Sequence, residues 1–159
     1  MQLTLNNWGG VIANINTRTQ NHGDEKRGAC DVDITGILDI DDAGFLFGDD
    51  VAMDALTDLF WQPKGNLPTL DLMFSFAESF DDCLVEIKTP TDGEILSVQG
   101  AKVGKFRAKL NAGHTLDIKF QIQTEAVDGD IVGVLFEHLD MSGFVSISQP
   151  NHQEQPKLV

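Results

Sequence analysis

Apolar and polar residues alternate most cleanly over residues 102–123. Phe106, Ala108 and Leu110 are separated by Lys105, Arg107 and Lys109, and Leu116, Ile118, Phe120 and Ile122 by Asp117, Lys119 and Gln121. A period of two means strands with one buried and one solvated face. Asn111-Ala112-Gly113-His114 lies between the two runs, where Asn and Gly supply the positive φ of a tight connection, so the pattern predicts a hairpin. A second long hairpin is expected earlier: a strand over residues 11–19, a polar tip at 21–26, and a return over 29–38, where Val32 and Ile34 alternate with Asp31, Asp33 and Thr35. Before it, Asn6-Asn7-Trp8-Gly9-Gly10 reads as a turn or bulge. Residues 83–89 and 94–99 read as strands joined by Pro90-Thr91-Asp92-Gly93, with Pro fixing φ and Gly taking the strained position. A last strand is expected over 143–148, while the short apolar run at 70–76 suits either a strand or a helical turn.

The period changes at two places. Val51, Ala52, Ala55, Leu56, Leu59 and Phe60 fall at helical spacing behind Asp49 and Asp50, whose charges favour a helix N-terminus, and Pro63 stops the pattern. Residues 128–138 repeat it with Ile131, Val132, Leu135, Phe136 and Leu139, interrupted by Gly133, which costs roughly 1 kcal/mol against Ala. Strands outnumber helices and no regular βαβ alternation appears. The expected class is therefore α+β, mainly antiparallel β, with hairpins forming one sheet or two packed sheets and two short helices against them. A chain of 159 residues suits one domain, taken as 1–149, followed by a polar tail at 150–159 expected to be mobile.

Charge sharpens this picture. The chain carries 25 Asp and Glu against 11 Lys and Arg, a net charge of −14, which repels nucleic acid and anionic membrane and attracts basic partners. Residues 31–58 hold nine Asp and no Lys or Arg. Solubility and helix capping account for part of such a run. The sharper expectation is polynucleotide mimicry, with Asp39, Asp41, Asp42, Asp49, Asp50, Asp54 and Asp58 standing in for phosphates before a basic partner. Against this field, the long hairpin carries Lys102, Lys105, Arg107, Lys109 and Lys119, five of the eleven cations. Such a row can track a phosphate backbone. It lacks outward aromatics for base stacking, however, and the chain has no Tyr. The row also suits an edge protected by Lys, or a surface that docks the acidic face of another copy in a homo-oligomer.

Candidate chemistry is sparse. Asp39, Asp41, Gly44, Leu46 and Asp50 match positions one, three, six, eight and twelve of an EF-hand loop, but Ala43 fills the fifth, Asp replaces the terminal Glu, and a strand precedes the loop. An acidic turn before a capped helix is expected instead. His22, Asp24, Glu25 and Cys30 gather around the first hairpin tip, where water deprives a nucleophile of activation. His114, His138 and His152 fall in a turn, a helix end and the tail. Cys30 and Cys83 form no disulfide framework and have no metal-ligand spacing, which suits a reducing compartment. No enzyme, cofactor or metal is expected. The first residues lack the features of a signal peptide, and no apolar run nears the roughly 20 residues that span a bilayer, so the expected location is cytoplasmic, without a membrane partner.

His22-Gly23-Asp24-Glu25-Lys26, then Ala29-Cys30-Asp31-Val32-Asp33-Ile34, with Val103-Gly104-Lys105-Phe106 and Lys119-Phe120-Gln121-Ile122-Gln123, resembles a group of small, poorly characterised bacteriophage and prophage accessory proteins. The resemblance implies an accessory protein inside the bacterial cell, acting near DNA replication and recombination or against a host defence system. It carries over no catalytic residue. With the charge pattern it yields the expectation of a non-enzymatic protein that binds and inhibits a host nucleic-acid-handling or defence protein through its acidic surface. The alternative expectation is a nucleic-acid-binding accessory protein that uses the basic hairpin face.

Overall fold

In the computed structural model, which describes residues 3–22, 25–48, 50–64, 67–125 and 129–149, the chain begins with two long strands, β1 (Thr4–His22) and β2 (Glu25–Asp39). They pair antiparallel from Gly10↔Gly36 to His22↔Glu25. The stretch around Trp8 is a bulge, as its sequence suggests: Asn7 has φ 48° and the register shifts between Leu5 and Trp8. A bulge lets the strand continue, so β1 starts at Thr4. A 3₁₀ turn (Ile40–Asp42), α1 (Gly44–Phe47) and α2 (Met53–Phe60) follow. Next come β3 (Met73–Ser75), β4 (Phe80–Lys88), β5 (Glu94–Asn111) and β6 (Thr115–Glu125). The chain closes with α3 (Gly129–Glu137) and β7 (Ser142–Ser148).

Every ladder is antiparallel within one seven-stranded sheet, and the ladders close on themselves. From β1 the ring runs through β2, β6, β5, β4 and β7 back to β1, with β3 continuing the line of β4 along the same edge of β5. Such a ring is a barrel, and closure removes the exposed edges an open sheet would leave. β5 makes closure possible. Its first part pairs with β4 from Glu94 to Val103 and its last part with β6 from Lys102 to Asn111, with a bulge at Lys105 (φ 55°) between Gly104 and Arg107. The two strand segments expected at 94–99 and in the hairpin are thus one strand.

The inward positions are the alternating apolar residues: Cys30, Val32, Ile34 and Leu38 on β2, Leu116, Ile118, Phe120 and Ile122 on β6, Phe106, Ala108 and Leu110 on β5. Aromatic rings run through the middle. Trp8 lies 5.7 Å from Phe120, Phe120 stacks on Phe106 at 5.3 Å, and Phe106 meets Phe80 and Phe45 edge-on at 5.8 and 5.7 Å. Gly36 is required beneath Trp8, since a Cβ there would stand 2.6 Å from the indole ring and 2.9 Å from the Gly9 carbonyl oxygen. Trp8 also donates from Nε1 to the Ile37 carbonyl at 2.8 Å.

Both ends are covered. α3 touches β1 and β5, which lie on opposite sides of the ring, so it crosses the end where β6 finishes. Leu135 is its fully buried residue, with Ile131 and Val134 partly buried, as is Leu139 just beyond its end; Phe136, expected on the apolar face, is exposed. The segment from Ile40 to Trp61 covers the other end, tied to the β5–β6 turn by Ile40 N–H to the His114 carbonyl (3.0 Å) and Trp61 Nε1 to the Asn111 carbonyl (2.6 Å).

Four local expectations are corrected. The first expected helix begins at Met53, not at Asp49 or Asp50, and its N-cap Ala52 makes no side-chain cap. An additional helix and a 3₁₀ turn precede it, because Ile40, Phe45 and Leu46 are drawn into the barrel end. At 90–93 the positive φ belongs to Asp92 (69°), while Gly93 packs against Thr89, whose Oγ1 accepts from its N–H at 2.9 Å. In the long hairpin Gly113 (76°) and His114 (60°) take the positive φ, and Asn111 remains in the strand. Residues 150–159 lie outside the described residues.

Candidate functional site

A barrel this narrow is filled by its own side chains. Among the described residues Thr124 is the one buried polar side chain, and its Oγ1 donates to the Cys30 carbonyl at 3.1 Å. Binding chemistry therefore belongs to the outer surface. Cys30 illustrates this. It points inward, is fully buried, and pairs with Thr17, five residues along β2 from Glu25. At about 3.3 Å per residue it sits roughly 16 Å from that end of the hairpin, not beside it. Burial, then the Asp31 charge, raises its thiol pKa, with Arg18 opposing. Burial and the charges of Asp81 and Asp82 push the Cys83 thiol up to about 11. Both are inert thiols at neutral pH. Gly23 and Asp24 lie outside the described residues, as does His152; the side chains of His22 and Glu25 do too.

The acidic run divides by position. Asp31 and Asp33 lie on the barrel wall and are engaged: Arg18 Nη2 holds Asp31 Oδ1 at 2.8 Å, and Gln121 Nε2 donates to Asp33 Oδ1 at 3.0 Å. The others belong to the segment covering the barrel end. Asp39 accepts from the Asp41 N–H at 3.0 Å and so caps the 3₁₀ turn. The EF-hand pattern is thus a capped turn running into α1, with Leu46 buried where a ligand-bearing loop would be. Asp39, Asp41, Asp42, Asp50, Asp54 and Asp58 are exposed, and among the described residues none pairs with a cation. Asp49 lies outside the described residues.

The basic residues do not form one row. The bulge at Lys105 separates Lys102 and Lys105, which border a depression of about 250 Å³ with Glu78 and Gln123, from Arg107, Lys109 and Lys119. These three border a larger depression of about 410 Å³ on the outer wall, with Ile37, Met73 and Asp117. The ladders fix their order. One row across β2, β6, β5 and β3 reads Ile37, Asp117, Lys109, Met73; the next reads Thr35, Lys119, Arg107, Ser75. Ile37 and Met73 are 58% and 64% exposed. These apolar flanks were not part of the expected site. The sequence did carry a signal for Ile37, which breaks the alternation of β2 beside inward-facing Leu38.

The acidic and basic regions adjoin. Asp39 pairs with Thr115, two residues along the strands from the Ile37–Asp117 pair, so the acidic segment begins where the wall ends. His114 packs on Trp61 at 5.4 Å at this junction, and His138 Nδ1 lies 2.9 Å from the Val134 carbonyl at the far end. No described group of His, Cys, Asp or Glu has metal-site geometry, and no described helix is long and apolar enough to cross a membrane. Comparison with known proteins finds no matching family model, no matching curated protein and no matching solved structure.

Proposed function

We propose that this is a non-enzymatic accessory protein whose acidic barrel end binds the basic surface of a nucleic-acid-handling or defence protein, occupying it in place of DNA. The observation that carries this reading is that, among the described residues, Asp39, Asp41, Asp42, Asp50, Asp54 and Asp58 are exposed and form no ion pair, although a cationic wall begins beside Asp39. Carboxylates left unneutralised within the chain remain available to a partner, whose own cations must offset the hydration they lose on contact. The bacteriophage setting and the bacterial cytoplasm come from the sequence resemblance.

The test is affinity capture from a bacterial lysate with the wild type and an Asp41→Lys, Asp42→Lys, Asp54→Lys, Asp58→Lys variant, at low and high salt. The expected result is a partner held at low salt, released as salt rises, and lost from the variant while its circular dichroism is unchanged. A partner still held by the variant at low salt overturns the proposal. A gel shift with single- and double-stranded DNA separates the alternative, since a mimic leaves DNA unretarded and a binder retards it in a salt-dependent way.

A further inference from the structure

Arg107 and Lys119 stand directly opposite each other on β5 and β6. Like charges at a cross-strand pair are destabilising, and their Cβ atoms lie about 4.5–5.5 Å apart. Neither cation forms an ion pair among the described residues; the nearest one on this wall joins Lys109 to Asp71, at 3.9 Å between exposed groups. The depression beside the pair is edged by Ile37 and Met73, two of the most exposed large apolar side chains in the molecule. The wall therefore presents two cations and two apolar groups together.

The solvent face of α2 presents the converse. Asp54, Ala55, Asp58 and Leu59 are exposed while Phe60 is buried and Met53, Leu56 and Thr57 are partly covered. Asp54 and Asp58 are one turn apart, about 6 Å along the axis, close to the spacing of the opposed cations. Leu59, beside them, is 62% exposed. Charge and apolar surface match at both places, yet within one chain the two surfaces make no ion pair.

The geometry points to self-association in which the α2 face of one copy docks on the wall of another, Asp54 and Asp58 against Arg107 and Lys119, with Leu59 between Ile37 and Met73. Made reciprocally about a two-fold axis the contact gives a dimer, and made head to tail it builds a ring or an open chain of copies. The net charge of −14 opposes it at long range, which makes the contact weak and salt-dependent.

Sedimentation velocity tests this on the full chain, comparing the wild type, D54K/D58K, R107E/K119E and an equimolar mixture of the two variants. The substitutions are all at exposed positions, and circular dichroism checks each fold. The wild type is expected to exceed the monomer mass increasingly with concentration, each variant alone to remain monomeric, and the mixture to regain association because lysines on α2 then face glutamates on the wall. A wild type that stays monomeric at every concentration and salt overturns the inference, as does association that survives in either variant. A monomeric wild type that retards an oligonucleotide which R107E/K119E does not retard makes the wall a nucleic-acid surface and also overturns it. This inference and the proposed function fail separately: R107E/K119E keeps the acidic end and so keeps any basic partner, but loses self-association.

Discussion

Gly133 sits inside α3 in helical backbone, is exposed, and has nothing within 4 Å of the position a Cβ would take. Gly133→Ala is expected to stabilise the protein by about 0.5–1 kcal/mol through lost freedom of the unfolded chain. Urea denaturation measures this, and a lower midpoint would mean the helix needs that glycine. Cys83 lies at the other extreme of burial, its Sγ 3.4 Å from the Phe80 carbonyl. Its folded pKa, about 11, lies above the ordinary 9.0, so the folded state keeps a proton the unfolded state releases. The resulting stabilisation is fully present below about pH 9 and is lost as pH rises to about 11. Cys83→Ala should show a shallower decline in stability over that window, and equal slopes would remove the thiol as its cause.

At the scale of the element, the acidic segment is also the cover of one barrel end. Phe45 from α1 enters the ring system between Phe80 and Phe106, while Phe47 turns the other way onto Phe60, Phe74 and Phe76. Phe45→Ala should cost about 3–5 kcal/mol in chemical denaturation, against little for Phe136→Ala on the exposed side of α3. Similar small losses for both would show that the segment is not anchored by Phe45. Because the carboxylates ride on this cover, loosening it should also weaken partner capture.

For the whole molecule, closure of the sheet and the net charge of −14 act against each other. The barrel gathers the chain around a filled core, and self-repulsion of the surface opposes that compactness. Raising ionic strength from about 0.01 to about 0.15 M shortens the Debye length from about 30 to about 8 Å. The thermal midpoint should therefore rise over that range. A falling midpoint would mean that local attractions, such as Arg18 with Asp31, outweigh the net repulsion.

The alternation of apolar and polar residues by itself determined the two long hairpins and the inward face of β2, β5 and β6, and the order of charged residues determined the division between an aspartate segment and a basic hairpin. Those are properties of neighbours along a chain, and a period of two is written locally. The stretch at Trp8 reads as a turn or a bulge, and the pairing of β1 with β7 decided for the bulge. Only the tertiary structure decided that the sheet closes, because pairing of β2 with β6 and of β7 between β1 and β4 joins residues far apart in sequence. It also decided that Asp92 rather than Gly93 takes the positive φ, while Thr89 occupies the place a Cβ would take at Gly93. Closure placed Ile37 and Met73 on either side of the cations and brought the acidic end against the basic wall, a neighbourhood that spacing along the chain does not contain.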